Sequence, residues 1–197
     1  MSGGVRSTQK DRQESMTKAP TYPPIPTGDW PDTINHLRDD FAGKLNVYKV
    51  MAHHPDLLCG WESLRRHVVT RNALGPERLE IAILRTAARL GAQYEWAHHV
   101  DRAGKLGFSS ERINGIAAAP EGMSPGDAVI ARSVDRLIDD KRLDPASLEA
   151  LENLVGKEGV FDLMATVGFY LTLGFIVESF DVPLDSDIPS VAVPHGR

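Results

Sequence analysis

Helix periodicity is the feature of this sequence that most restricts its fold. From Asp32 to Ser179, apolar residues recur every three or four positions between residues that typically start or end helices. Pro55, Pro76 and Pro145 each stand at a position suited to the first turn of a helix, where the missing N–H has no partner to lose. No alternating apolar and polar strand of useful length is followed by a hairpin turn. The sequence therefore predicts an all-α protein.

The predicted helices follow one another with short connections. Their approximate bounds are 33–43, 46–52, 55–68, 76–90, 92–106, 109–119, 124–138, 145–154 and 157–179, with Gly91 as the residue that ends the fourth. The longest apolar run, 163–177, contains 15 residues. Because a membrane span needs about 20 apolar residues, we expect this run to form a buried core helix and expect no membrane partner.

The chain is predicted to contain one domain with a tail at each end. Residues 1–21 form the N-terminal tail, predicted to be disordered because its first 18 residues contain only two sizeable apolar side chains. Residues 22–187 form the helical domain, and residues 188–197 form a C-terminal tail. Five prolines between Ala19 and Pro31 predict an extended arm that leads into the domain.

Composition excludes several classes of protein. The chain has 197 residues, a formal net charge of −5 and one cysteine, Cys59. Its acidic balance argues against a nucleic-acid partner, which usually requires a basic surface. A lone cysteine excludes an intramolecular disulfide, a Cys-x-x-Cys redox pair and a cysteine-rich zinc site. Since the N-terminus lacks the apolar run of a signal peptide, we expect a cytoplasmic protein.

Two carboxylates and a histidine are the strongest candidates for catalysis. Glu80 stands among apolar residues, where burial would raise its pKa; alternatively it pairs with Arg85 or another arginine, or lies in solvent. Glu95 and His99 are four residues apart on one predicted helix, so the carboxylate can orient the imidazole for acid–base work. An ordinary exposed helical pair has the same spacing. His98 lies about 100° round the helix from His99, so only one of the two histidines is expected to face Glu95.

Several neighbouring side chains are weaker candidates for substrate binding. Aromatic residues beside the Glu95 and His99 pair could line a small dry pocket, and other positions could supply a polar group or a cation. Each has an ordinary structural alternative, such as core packing for the aromatic rings or solvation for the arginines. The candidates are Tyr94, Trp96, His53, Tyr170, Arg85 and Arg89.

A catalytic metal is not expected. Glu95-x-x-His98 matches one element of di-iron helix bundles, but such sites need a second Glu-x-x-His and two further glutamates. The chain contains no second Glu-x-x-His element and no His-Glu-x-x-His.

The segment from Glu80 to Gly107 resembles the carboxymuconolactone decarboxylase family, which includes the alkyl hydroperoxidase D-like proteins. Glu80, Gly91-Ala92, Tyr94-Glu95, His99 and Gly107 carry the resemblance. It extends more loosely from Tyr22 to Asp185 through 46–55 and 178–183. The resemblance implies an alkyl hydroperoxidase D-like helical bundle that assembles as a homo-oligomer, usually a trimer or hexamer.

The same resemblance separates two chemistries. The peroxidase-like branch carries cysteines at the positions matching Ala92 and Glu95, with a glutamate and a histidine matching Glu80 and His99 as a proton relay. Both cysteines are absent here, and a thiolate is the nucleophile of that reaction. The resemblance therefore favours the decarboxylase-like branch, in which acid–base groups do the work without a cofactor.

We accordingly expect a cofactor-free lyase or isomerase that acts on a small carboxylated or lactone-type acid. Loss of CO₂ beside an unsaturated lactone leaves a carbanion that must be protonated. His99 would deliver this proton, Glu95 would orient His99, and Glu80 would act as a second acid or base. The alternatives are a peroxidase-like or metal-dependent redox protein of the same fold, and a non-catalytic oligomeric binding protein.

Overall fold

Seven α-helices dominate the computed structural model, which describes residues 19–194 and contains no strand within that range. The predicted disorder of residues 1–18 and the last three residues of the predicted C-terminal tail lie outside the described residues. The prediction of an all-α fold is confirmed. The helices are α1 (Asn46–Met51), α2 (Pro55–Arg66), α3 (Pro76–Leu90), α4 (Gln93–Lys105), α5 (Ser110–Ala117), α6 (Pro125–Asp139) and α7 (Pro145–Ser179).

The helix ends follow from local side-chain chemistry. Ser109, Ser124 and Asp144 stand before α5, α6 and α7, and each side chain accepts a hydrogen bond from a backbone N–H of the first turn. Gly91 ends α3 with φ 69°, a left-handed conformation that glycine adopts without a steric penalty. Because only Ala92 separates that glycine from α4, the chain reverses tightly and lays α4 against α3.

Helix α3 lies at the centre of the domain. It packs against α4, α5, α6 and α7, and every residue from Leu79 to Ala87 is buried. A helix that is surrounded on all sides buries its polar residues as well as its apolar ones. Glu80 and Arg85 are therefore inside the protein, each 6% exposed, and both need polar partners there.

One region differs from the predicted helices. Instead of an α-helix over 33–43, the chain forms a 3₁₀ helix, Asp32–Leu37, followed by turns. Asp40 accepts a hydrogen bond from the backbone of Phe41 at 2.7 Å, a local bond that competes with helical pairing. The break predicted between the last two helices is present, because Gly156 adopts a non-helical φ of 74° within α7.

Helix α7 contains the apolar run 163–177. By length and composition it could cross a membrane, and 56% of its most apolar 18-residue window is buried inside the protein. A core helix passes the same test, so the run does not by itself indicate a membrane. Gly174 lies close to α3, since a Cβ there would stand 2.7 Å from Leu90 Cδ1.

Arg85 and Arg89 hold helices together and are not available to a substrate carboxylate. Arg85 donates through Nε and Nη2 to the carboxylate of Asp135 at 2.8 and 2.6 Å, and through Nη1 to two backbone carbonyls. Arg89 donates to Asp135 and Asp139. The hypothesis that these arginines bind substrate is not supported, because carboxylates of α6 pair with both of them.

Replacing Arg85 with Met should destabilise the protein by about 3 kcal/mol or more, because Asp135 and two carbonyls lose a buried partner. Urea denaturation followed by circular dichroism measures this change. The matched control is Arg132→Met, which removes an exposed pair with Glu121 and should cost less than about 1 kcal/mol. Equal losses in the two variants would contradict the structural role of Arg85.

Candidate functional site

Glu80, Glu95 and His99 meet where α4 packs against α3. Their exposed fractions are 6%, 4% and 2%. Buried ionisable groups on adjacent helices must either pair or become neutral, because their solvation by water is lost. The tight turn at Gly91 sets the two helices side by side, which brings a residue from the first turns of α3 next to the middle of α4.

The His99 imidazole is held by Glu80 and faces Glu95. Its Nδ1 lies 2.6 Å from Glu80 Oε2, whereas its Nε2 lies 3.9 Å from Glu95 Oε2, beyond hydrogen-bond range. The orienting carboxylate is therefore Glu80 on the neighbouring helix. This differs from the expectation that Glu95, four residues away on the same helix, would orient the ring.

This arrangement sets the protonation of His99. The Glu80 carboxylate accepts the Nδ1–H, which leaves the Nε2 lone pair directed towards Glu95. Burial lowers the pKa of His99 below its usual value, and the nearby charge of Glu80 offsets only part of that decrease. The ring is accordingly a neutral base at neutral pH.

Glu95 faces His99 Nε2, and its carboxyl group stays protonated at neutral pH. Burial raises its pKa to about 8; the positive charge of Arg102 opposes this rise and the negative charge of Asp185 adds to it. Its Oε1 is buried and has no hydrogen-bond partner in the protein. A neutral acid and a neutral base thus stand next to each other, with pKa values shifted in opposite directions.

A small, partly open cavity of about 20 Å³ adjoins this pair. That volume is enough for about one water molecule. Tyr170 packs the edge of its ring against His99, with centroids 5.1 Å apart, and burial raises the pKa of Tyr48 to about 12. The tyrosines at the cavity are therefore neutral. The polar and charged residues of its wall are Tyr48, Arg65, Tyr94, Glu95, His98, His99, Arg102 and Tyr170.

Asp185 anchors the far side of the site. It follows α7 in the chain and accepts hydrogen bonds from Tyr94 Oη, His98 Nε2 (3.0 Å) and the backbone of Asn46 (2.9 Å). Burial raises the pKa of Asp185, but these three donors outweigh it and lower the pKa below its usual value. The sequence pattern did not identify Asp185 as a functional residue, because its partners lie 87 or more positions away.

Two predicted binding residues, Tyr94 and Tyr170, line the cavity, whereas Trp96 and His53 do not. Trp96 is 1% exposed and belongs to the hydrophobic core. His53 contacts the N-terminal arm, with Nε2 2.9 Å from the carbonyl of Pro23. Trp96 is the residue after Glu95, so it lies about 100° round α4 from the site. His53 lies on the connection before α2. The prediction that these two residues bind substrate is therefore not supported.

The expectation that only one histidine faces the site of Glu95 is wrong. His98 and His99 both line the cavity. Positions three and four residues after Glu95 lie on either side of it along one face of α4, as does Arg102 seven residues after it. Arg102 could have been predicted from the sequence, because it lies on the helix face that Glu95, His98 and His99 share. Arg65 lies on α2, and no spacing in the sequence connects it to the site.

Between residues 19 and 194, no group of three or more His, Cys, Asp or Glu side chains is arranged to hold a metal ion. His98 of the Glu95-x-x-His98 element is instead paired with Asp185.

Comparison with known proteins finds one family model that matches part of the chain. The sequence model of the carboxymuconolactone decarboxylase family matches residues 55–131. That range includes α3 and α4, and with them Glu80, Glu95 and His99. No curated protein matches the chain.

Two solved structures share the fold. One is described as an alkylhydroperoxidase AhpD core, an uncharacterized peroxidase-related protein from Ralstonia eutropha JMP134; it has a TM-score of 0.70 and 17% identity over 86% of this chain and 94% of its own. The other, an uncharacterized peroxidase-related protein from Silicibacter sp. TM1040, has a TM-score of 0.71 and 13% identity over 88% and 96%. At such identities the likeness establishes the fold alone.

Glu95→Gln should change how stability depends on pH. Folding favours the protonated form of Glu95, so its contribution is present at low pH and is lost as pH rises towards about 8. Between pH 5 and pH 8 the wild type should lose about 3 kcal/mol relative to the variant. Chemical denaturation at both pH values measures the difference. An unchanged difference would mean that Glu95 titrates normally.

Proposed function

We propose that this chain, whose residues 55–131 match the carboxymuconolactone decarboxylase family and which lacks the Cys-x-x-Cys pair, is a lyase or isomerase that uses Glu95 and His99 as acid and base. The observation that carries this proposal is the neutral Glu95 carboxyl group facing the free Nε2 of a neutral His99. Its substrate is a small carboxylated or lactone-type organic acid, and the chain's own residues suffice for the reaction.

The decarboxylation step balances with Glu95 as the proton donor. The bond between the substrate carboxylate and the adjacent carbon breaks, CO₂ leaves, and the electron pair moves into the conjugated carbonyl. The resulting enolate takes the Glu95 proton at carbon, and His99 Nε2 passes one proton from solvent to Glu95 to restore the acid. In an isomerisation, His99 Nε2 would remove a proton from carbon and Glu95 would return one elsewhere. Glu80 holds the imidazole in the tautomer that either step needs.

Thiol peroxidase chemistry does not fit this chain. The sequence has one cysteine, and Cys59 is exposed on α2, outside the matching motif. Ala92 and Glu95 occupy the positions of the two cysteines, so no disulfide can form between them in one chain. The motif residues that this chain retains are Glu80 and His99, and Glu95 is an added carboxyl group.

A peroxide-dependent reaction is the second candidate. The cavity of about 20 Å³ admits a peroxide group more readily than a whole lactone unless the wall moves. Reduction of a peroxide requires two electrons from an external donor. Peroxide consumption in the presence of dithiothreitol or a flavin donor, unaffected by Cys59→Ser, would favour this candidate over the lyase.

Turnover of lactone and enol acids should depend on the acid–base pair. His99→Ala and Glu95→Gln should each lower kcat by about 10²–10⁴-fold, since each removes a positioned acid–base group. CO₂ release and loss of ultraviolet absorbance measure turnover, and Cys59→Ser serves as the control with unchanged rate. Wild-type rates in either site variant would contradict the proposal. Binding without any product would instead indicate a non-catalytic binding protein.

We further propose a homo-oligomer, supported by an exposed apolar face of α7. Phe161, Met164 and Phe175 lie along one side of this helix, with exposed fractions of 65%, 38% and 59%. Exposed apolar patches of this kind typically mark interfaces.

The double change Phe161→Glu with Phe175→Glu should reduce the assembly to monomers, because it places charges in the proposed interface. Size-exclusion chromatography with light scattering measures the mass. The control is Leu64→Glu, an exposed apolar residue of α2. An unchanged mass in the double variant would place the interface elsewhere.

A further inference from the structure

Two arginines at the cavity lack acidic partners. Arg102 and Arg65 line it, and within the described residues neither forms a salt bridge. Arg65 is stacked on Phe41, with its guanidinium carbon 3.9 Å from the ring centroid; its side chain is hydrogen-bonded to Tyr48, and its Nε is buried without a hydrogen-bond partner. Arg85 and Arg89, by contrast, are paired with carboxylates of α6. Guanidinium groups that have no acidic partner are suited to an anionic ligand.

A larger cleft adjoins the small cavity. It has a volume of about 450 Å³, and both spaces are lined by Val69 and Arg102. A space of this size accommodates a small organic molecule, whereas the cavity holds about one water molecule. Glu80 lines the cleft and His99 lines the cavity, so their hydrogen bond lies in the wall between them. The cleft therefore has room for a small organic acid beside Arg102.

We propose that Arg102, with Arg65 as a second cation, is the specificity-determining residue that binds a carboxylate at the boundary between cleft and cavity. This inference rests on the proposed function only in taking Glu95 as the neighbouring acid. A guanidinium group can bind a carboxylate through two parallel hydrogen bonds, which selects an anion over a neutral ligand of the same shape. The other cation of the cleft, Lys105, is already paired with Asp101 at 2.6 Å.

Anion binding at Arg102 should be coupled to protonation of Glu95. The Arg102 charge lowers the pKa of Glu95, so a bound carboxylate that offsets this charge raises that pKa. Protein molecules in which Glu95 is ionised then take up a proton when the anion binds. We expect this proton uptake near pH 8 and not at pH 6, where Glu95 is already protonated. The charged and titratable groups around Glu95 are Tyr48 of α1, Arg65 of α2, Glu80 of α3, Tyr94, His98, His99 and Arg102 of α4, Tyr170 of α7, and Asp185.

Isothermal titration calorimetry with 5-oxotetrahydrofuran-2-carboxylate and its primary amide tests the site without requiring turnover. The wild type should bind the carboxylate at least about 10-fold more tightly than the amide. Arg102→Gln should abolish that preference, Arg102→Lys should retain part of it, and Arg78→Gln, a change at an exposed arginine beside a different cleft, should leave it intact. Thermal melting checks that the variants fold.

Proton uptake gives a second, independent readout. Titrations in two buffers of different ionisation enthalpy should show uptake at pH 8, none at pH 6, and none at either pH in Glu95→Gln. Equal binding of carboxylate and amide by the wild type, or undiminished carboxylate binding by Arg102→Gln, would overturn the proposal. A failed decarboxylase assay leaves these binding results unaffected, so failure of the proposed function remains distinguishable from failure of this site.

Discussion

The hydrogen bond between Glu80 Oε2 and His99 Nδ1 links α3 to α4 inside the core, and the chemistry of the site depends on it. A buried imidazole without a partner could rotate or exchange its tautomer, and its Nε2 lone pair would have no defined direction. A buried carboxylate without a partner would carry a large desolvation cost. Each group therefore stabilises the other, and the pair leaves one basic nitrogen directed at Glu95.

Burial raises the pKa of Glu95 and lowers the pKa of His99. Loss of water disfavours the charged form of each group, so the carboxyl group keeps its proton and the imidazole gives up its own. The result is an acid and a base that coexist without charge. Asp185 differs because three donors reach it, and their hydrogen bonds keep it ionised despite its burial. Environment, and not residue type, assigns these roles.

Much of the fold could be predicted because it depends on local rules. Prolines at first helical turns, side-chain caps and a glycine at the end of α3 act within a few residues, and the structure confirms the all-α class that they indicated. The segment 33–43 was less predictable. There, short-range bonds such as that of Asp40 replace the helical pattern, and a weak local preference decides between the two.

Part of the site was predicted from spacing along one helix, and Glu80 of α3 and Tyr170 of α7 were also candidates. The spacing of Glu95 and His99 was readable, and the same helical face extends to His98 and Arg102 once both flanking positions are considered. The pairing of Arg85 could not be predicted, because its neighbours in sequence give no indication that Asp135 of α6 accepts its hydrogen bond. Asp185 likewise contacts its partners only in the folded protein, because it follows α7 and lies 87 residues from His98 in sequence.

The sequence by itself thus determined the helices, the absence of a cysteine pair and the presence of two carboxylates and a histidine in one motif. Tertiary structure alone decided which carboxylate holds the imidazole, which one stays protonated, and which arginines are paired with acidic groups. The physical reason is that helix periodicity and capping act over a few residues, whereas desolvation and ion pairing depend on which surfaces of distant helices pack together.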